Sequence, residues 1–500
     1  MIFYVDKENT YPNYKGKSTY SYPCFVLFYD KWDDFGYKTQ FELYYYESIN
    51  SYNQIGSIKI ICKQLKDDKG GWTLDYLEDS FEKLNSDWCS LGQNEDYYKN
   101  IKYFFNKDEA SSLLNTLRDC SLDYSIVADF ETRHSFSTSL LRTNDAEKML
   151  RQGRLLINDE DLKCFFHVNF NFRPLYNTTQ NVDINFMFEN ISDYYSRRIY
   201  CLIGENGVGK TQILSQFLEG ANLYKKQFGK IIYLSNNYYE HLNFDEENEY
   251  IINCGLTEKK NDDVYIMNEV SLKKNIIENL KKLKKKYHNT SEQRYIDRFL
   301  GNISELFVNV DFSELEDFNY SGDFEKFLSS FSILSSGESA LLYNLINMLS
   351  NIRFNSLLLF DEPEVHLHPN FITKFMDFLY QMLKNFDSFA IICTHSTFIV
   401  REVKADSVYV LNRIDNYCTI RKIKYESLGA NAMTLANDIF ENIEIQPFFQ
   451  KEIKRMVHDG LSEDEIIKNL KSFEDMNLDI GVNSLVHYMV KERNEKNKYL

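Results

Sequence analysis

The run Gly204-Glu205-Asn206-Gly207-Val208-Gly209-Lys210-Thr211 follows an apolar segment, Arg198 to Ile203, and precedes a helical stretch, Gln212 to Leu218. Residue types at this spacing suit one chemistry, the holding of a polyphosphate. Glycines let backbone N–H groups converge on phosphate oxygens without interference from a Cβ. The helix behind them turns its positive N-terminus to the same anion. Lys210 is placed to neutralise the β- and γ-phosphates, and the Thr211 hydroxyl to ligate Mg²⁺. A chance glycine turn is the plain alternative, and the flanking strand and helix argue against it.

About 150 residues further on, Leu357-Leu358-Leu359-Phe360 ends in Asp361 and Glu362. Asp361 would hold Mg²⁺ through water, because that ion prefers octahedral oxygen ligands and keeps much of its hydration. Glu362 would orient and polarise the attacking water. Phosphoryl transfer is mostly positioning and charge neutralisation, so one base, one metal and Lys210 form a sufficient kit. An apolar run ending in two acids says little alone; paired with a P-loop it becomes a Walker B strand.

Two further segments bear on phosphate. Leu334-Ser335-Ser336-Gly337-Glu338 opens an apolar helix, Ser339 to Leu349. Ser335, Ser336 and Gly337 at its N-terminus form a second anion site, or else Ser335 is an ordinary N-cap. A second phosphate-facing site makes sense if it serves the nucleotide of another subunit. His395, in Cys393-Thr394-His395-Ser396, can donate a hydrogen bond to a γ-phosphate; its plain reading is a buried histidine at a strand end.

These residues need a scaffold. Arg198 to Ile203, Lys230 to Leu234, Leu357 to Phe360 and Phe389 to Cys393 are short buried strands that alternate with helical stretches. Val408 to Leu411 adds one more. Such alternation predicts an α/β fold with a mainly parallel, doubly wound sheet. Phe165 to Phe172 and Val182 to Phe188 also read as strands. The expected division is an α+β accessory region over 1–155, an ATPase core over 156–412 and a mainly helical region over 413–500. Within the core a helical insert covers about 244–330, its helices running from about Asn268 to Phe307. In the accessory region Phe41 to Tyr46 and Ile58 to Cys62 read as strands, and Tyr76 to Leu84 and Glu109 to Leu117 as helices. His134 stands apart from any acidic partner there and reads as a packing or surface residue.

With 500 residues the chain exceeds what one core accommodates. A hydrophobic fraction of 43% and only six prolines leave little room for disordered linkers. The net charge of -17 excludes a generally basic, nucleic-acid-coating protein. Nine scattered cysteines without a C-x-x-C pair fit reduced thiols. With no signal-peptide pattern and no run near the ~20 apolar residues of a membrane span, a cytoplasmic protein is expected.

The four segments Gly204 to Thr211, Leu334 to Glu338, Leu357 to Glu362 and Thr394 to Ser396 together resemble the ABC-type ATPase superfamily, in its SMC, RecF and OLD-like branch. Glu362-Pro363-Glu364 with Leu367-His368-Pro369 is similar to the overcoming-lysogenization-defect nucleases and to ATPases of bacterial antiphage systems, Septu-like or retron-associated. The resemblance covers about residues 160–412. It implies ATP and Mg²⁺ as cofactors and a head-to-tail dimer, with each ATP between one subunit's P-loop and the other's Ser335 and Gly337. Glu362 then becomes the catalytic base, His395 the switch histidine and the His368 segment the loop crossing the dimer interface. Gln212 falls at the α-phosphate, where a small hydroxyl residue is commoner. The glutamine that transporter ATPases carry after the next strand is replaced by Ser235-Asn236-Asn237.

The resemblance implies a defence or DNA-processing ATPase that regulates a separately encoded effector, a nuclease. The alternative is a single-chain OLD-like ATPase–nuclease, against which Asp475 and Asp479 form no D-x-D pair. A transporter subunit fits less well because of the missing glutamine and the long N-terminal region. The helix carrying Lys273, Lys274, Lys281, Lys282, Lys284, Lys285 and Lys286 has an apolar face at Leu272, Ile276, Leu280, Leu283 and Tyr287. It reads as a solvated face or as a nucleic-acid contact.

Overall fold

The computed structural model describes residues 1–7, 16–66, 70–123, 125–160, 165–189, 196–235, 250–260, 263–287, 293–312, 325–365, 367–440, 448–471, 477–478 and 480–496. The chain divides into two compact units, Met1–Ala430 and Asn431–Leu500.

The first unit holds two large sheets. In the N-terminal sheet, β1 (Phe3–Asp6), β2 (Cys24–Tyr29), β3 (Gln40–Ser48), β4 (Ser51–Cys62), β5 (Ser80–Phe81) and β6 (Trp88–Gly92) run in the order β5-β1-β2-β3-β4-β6. Its helices α1 (Glu95–Phe104), α2 (Lys107–Thr116), α3 (Ser125–Phe130) and α4 (Asn144–Asn158) share one core with it, built around Phe25, Phe41, Ile60, Tyr97 and Phe130. This is the α+β layer expected from the sequence, with one correction. Tyr76 to Leu84 is not a helix. Its apolar residues match a helical period, but Ser80 pairs with Tyr4 and the Leu84 N–H donates to Thr116 O at 3.0 Å. Those non-local bonds consume the donors a helix would need. His134 is held by the Tyr37 hydroxyl at 3.1 Å.

The hairpin β7 (His167–Phe172) and β8 (Val182–Met187) leads into the central sheet. That sheet comprises β9 (Ile199–Gly204), β10 (Ile231–Ser235), β11 (Ile251–Asn253), β14 (Leu357–Asp361), β15 (Phe389–Thr394), β16 (Val408–Ile414) and β17 (Tyr417–Lys422). They run in the order β11-β10-β14-β15-β9-β16-β17, all parallel except β17. Strands β9, β10, β14 and β15 are buried along their whole length, which explains their unbroken apolar runs. One face packs Tyr200, Leu202, Leu359 and Phe389 against Phe186, Phe188 and Phe217, the last on α5 (Lys210–Glu219). On the other face Phe360 meets Phe375 of α10 (Pro369–Asn385), their rings 5.8 Å apart.

The insert departs from the helical expectation for 244–330. Strand β11 extends the central sheet, and β12 (Thr257–Lys260) with β13 (Asp263–Ile266) forms a hairpin. Helices follow only from α6 (Glu269–Tyr287), with α7 (Gln293–Leu306) and α8 (Glu325–Phe331). The apolar face of α6 is buried at Ile276, Leu280 and Leu283, and its Asn279 accepts from Ser350 of α9 (Ser336–Asn351) at 3.2 Å. Lys273 and Lys274 pair with Glu269 and Glu278, while Lys281 and Lys282 are exposed. The side chains of Lys284, Lys285, Lys286 and Tyr287 lie outside the described residues, as do Asp475 and Asp479.

The expected boundary at residue 412 cuts β16, whose hairpin with β17 completes the central sheet; the compact units part after Ala430 instead. A break at residue 155 would cut α4. This helix joins the two sheets through Glu147 to Arg353 at 3.1 Å and Lys148 to Asp387 at 3.5 Å. Both partners precede β14 and β15, at the strand ends opposite to the P-loop. A short helix α11 (Thr397–Val400) follows β15. The second unit has α12 (Ala432–Ile439), α13 (Phe448–His458), α14 (Glu463–Leu470) and α15 (Ile480–Lys496). Its small core is Ile453, Val457, Ile466, Val486 and Val490. Among the described residues, no helix is long and apolar enough to cross a membrane.

Candidate functional site

The heads of three neighbouring strands form the site. Gly204 ends β9, Asp361 ends β14 and Thr394 ends β15, and β15 lies between the other two. In the ladder Ile203 stands opposite Thr394, and Asp361 opposite Cys393. The chain leaving β15 therefore delivers His395 between the P-loop and the two acids.

The P-loop glycines differ in what requires them. A Cβ on Gly204 would meet Leu411 O at 2.3 Å, so close packing on β16 excludes a side chain there. Gly207 and Gly209 have φ of +80° and +106°, the left-handed region that favours glycine. Gly209 caps α5 without any side-chain hydrogen bond, so no cap side chain occupies the first-turn amides. Glu205, Asn206 and Gly207 are exposed, whereas Val208 is buried and its carbonyl accepts from Tyr176 Oη at 3.1 Å.

Lys210 is only 5% exposed, yet its ammonium is richly partnered. Nζ donates to Gly204 O at 3.1 Å and Glu205 O at 3.3 Å, and lies 2.7 Å from His395 Nε2 and 3.5 Å from Glu362 Oε1. His395 Nε2 is itself 2.8 Å from Glu362 Oε1. One ring nitrogen cannot accept from Lys210 and donate to Glu362 at once. Lys210 and Glu362 thus compete for it, and whatever draws the ammonium away frees the imidazole for the carboxylate or for an incoming oxygen.

Thr211 Oγ1 donates to Asp361 Oδ2 at 2.7 Å, bringing two hard oxygen ligands together. They fit Mg²⁺, an ion that takes one or two protein oxygens and completes its octahedron with phosphate and water. Charge points the same way. Asp361 and Glu362 outnumber the one ammonium, so a bare triphosphate would add anion to an anionic site, and a divalent cation would offset it.

Glu362 has φ of +50°, and its N–H donates to Cys393 O at 2.9 Å. Glu364, to which the sequence reading gave no role, reaches across to the chain leaving β15. Its Oε1 accepts from Thr394 Oγ1 at 2.5 Å, His395 N at 2.7 Å and Ser396 N at 3.1 Å. Burial pushes this carboxyl above its ordinary range, against the opposing pull of those hydrogen bonds. The two acidic residues flanking Pro363 were visible in sequence; which strand the second one faces was not.

Other expected residues lie apart from this cluster. Gln212 Oε1 accepts from Leu175 N at 3.1 Å, so its side chain supports the approach to α5. Ser335 N-caps α9 in a capping box with Glu338, its Oγ 2.8 Å from Glu338 Oε2. Ser335 and Ser336 are exposed and Gly337 buried. None of the three makes a hydrogen bond to Gly204–Thr211 of the same chain among the described residues. His368 is exposed and N-caps α10, accepting from Asn370 N at 3.3 Å. Asn236 and Asn237 lie outside the described residues.

A mostly parallel sheet headed by a P-loop and a Walker B pair gives this chain a P-loop nucleotide-binding fold. Residues 272–401 match the family described as "AAA domain, putative AbiEii toxin, Type IV TA system". That span takes in α9, β14 and β15, but not the P-loop. Over 483 residues the chain is 24% identical to Protein ea59 of Escherichia phage lambda, covering 88% of this chain and 90% of that protein. Among solved structures it is similar to the SMC head domain from Thermotoga maritima, with a TM-score of 0.27 and 12% identity over 52% of this chain and 98% of that one. A second is MJ1267, an ATP-binding cassette of an ABC transporter in its ADP conformation, with a TM-score of 0.25 and 14% identity over 49% and 85% of the two chains.

Proposed function

We propose that this chain is a Mg²⁺-dependent ATPase that works as a head-to-tail dimer and regulates a separately encoded effector. The observation that carries the catalytic reading is the triangle of Lys210, Glu362 and His395, all within 3.5 Å at the head of adjacent strands. Lys210 and the α5 amides hold the phosphates, with Gly204 to Gly209 shaping the loop. Thr211 and Asp361 hold Mg²⁺, which when bound neutralises phosphate charge. Glu362 takes the proton of the attacking water and His395 hydrogen-bonds the γ-phosphate. Ser335, Ser336 and Gly337 engage no phosphate-loop residue of their own chain, and this supports a role at the nucleotide of a second copy, with the His368 segment crossing between them. Phosphate release from ATP should therefore need Mg²⁺ and stop with EDTA. Ser335→Arg should cut it at least about tenfold, since one lost charge-assisted contact is worth roughly 1.5–3 kcal/mol. Unchanged activity in that variant would mean that no site is shared between subunits.

The effector reading rests on the sequence resemblance to antiphage ATPases; the matching family is described as a putative AbiEii toxin of a Type IV TA system. A nuclease is the effector this reading favours. The second unit is the preferred docking surface, for it exposes Met433, Phe448 and Tyr488 beside a small core. Co-expression with the product of the adjacent gene should yield a complex on pull-down. Phe448→Asp with Tyr488→Asp should break that complex while ATPase activity stays; antiviral activity from this chain alone would overturn the reading.

A further inference from the structure

We infer that Glu364 is the residue that positions His395, and the inference rests on the ATPase reading above. Two bridges tie the heads of β14 and β15. One is backbone, Glu362 N to Cys393 O at 2.9 Å. The other is the Glu364 carboxylate, whose single oxygen Oε1 gathers the Thr394 hydroxyl and the amides of His395 and Ser396. The first bridge fixes where the base leaves β14; the second fixes where the imidazole leaves β15. Together they set the distance of 2.8 Å between His395 Nε2 and Glu362 Oε1.

Geometry makes this more than an ordinary turn cap. Three donors of consecutive residues converge on one atom, and the middle donor belongs to His395 itself. Among the described residues, none of the P-loop makes a hydrogen bond or ion pair to Glu364, so its influence on the phosphates runs through the histidine turn. The companion oxygen Oε2 is buried and has no hydrogen-bond partner among the described residues. A carboxylate in such surroundings is costly to keep buried, and the hydrogen bonds to its other oxygen offset part of that cost. Without it, Thr394–Ser396 loses its acceptor and the imidazole can leave the line between Lys210 and Glu362.

The consequence is a split between binding and turnover. Glu364→Ala should lower kcat about a hundredfold, the usual effect of misplacing a reacting group by about 1 Å. Affinity for a fluorescent ATP analogue should stay within about threefold, because Lys210 and the α5 amides are untouched. Glu364→Gln keeps an oxygen acceptor and should recover most of the loss, to within about tenfold of wild type. The decisive measurement is a double-mutant cycle: adding Glu364→Ala to His395→Ala should cost less than about threefold more, since residues acting as one unit are not additive. Multiplicative losses, or kcat and affinity falling together, would overturn the inference and leave Glu364 a structural staple. Wild-type protein that neither binds nor hydrolyses ATP would instead remove the reading on which it rests. An active wild type with a defective His395→Ala and a normal Glu364→Ala would remove the inference alone.

Discussion

Glu362→Gln should bind ATP as wild type does and release phosphate about 10²–10⁴ times more slowly, the range a general base supplies. The substitution is nearly isosteric, and the bond from the residue 362 N–H to Cys393 O belongs to the backbone, so the strand heads stay joined. What disappears is the proton acceptor beside His395. Single-turnover phosphate release separates this loss from slow product departure. Wild-type turnover in this variant would show that another group activates water.

Lys210→Ala should weaken ATP binding about a hundredfold or more. A hydrogen bond to a charged group is worth up to roughly 3 kcal/mol, which converts to a factor near 10². The site makes the loss heavier than at an exposed lysine. Lys210 is the cation set against Glu362, with Asp361 beside it on Thr211, and removing it leaves two carboxylates facing the phosphates. Titration with a fluorescent nucleotide at fixed Mg²⁺ measures the change; affinity within threefold of wild type would remove the P-loop assignment.

The central sheet was legible because its information is local. A buried parallel strand shows as an unbroken apolar run, and the P-loop and the Leu334–Glu338 cap each lie within eight consecutive residues. What could not be read depends on partners distant in the chain. Strand β5 looked helical because Tyr76, Leu77, Phe81 and Leu84 repeat at helical spacing, while its actual partners are Phe3 and Tyr4. Strand β17 escaped notice because it is a half-exposed edge with polar residues between its apolar ones. The contact of Glu364 with the histidine turn required knowing that β15 is threaded beside β14. No spacing along the chain encodes that adjacency.

The left-handed backbone at Glu362 bears on how such chains change over generations. That conformation costs a residue with a Cβ roughly 1–2 kcal/mol, and glycine or asparagine would sit there with less strain. Stability alone therefore favours losing the carboxylate. A copy of this gene released from its chemistry would drift towards glycine or asparagine at this position while its sheet stayed intact. Under the ATPase reading proposed above, the glutamate at this position is held by its chemistry and against the preference of the backbone.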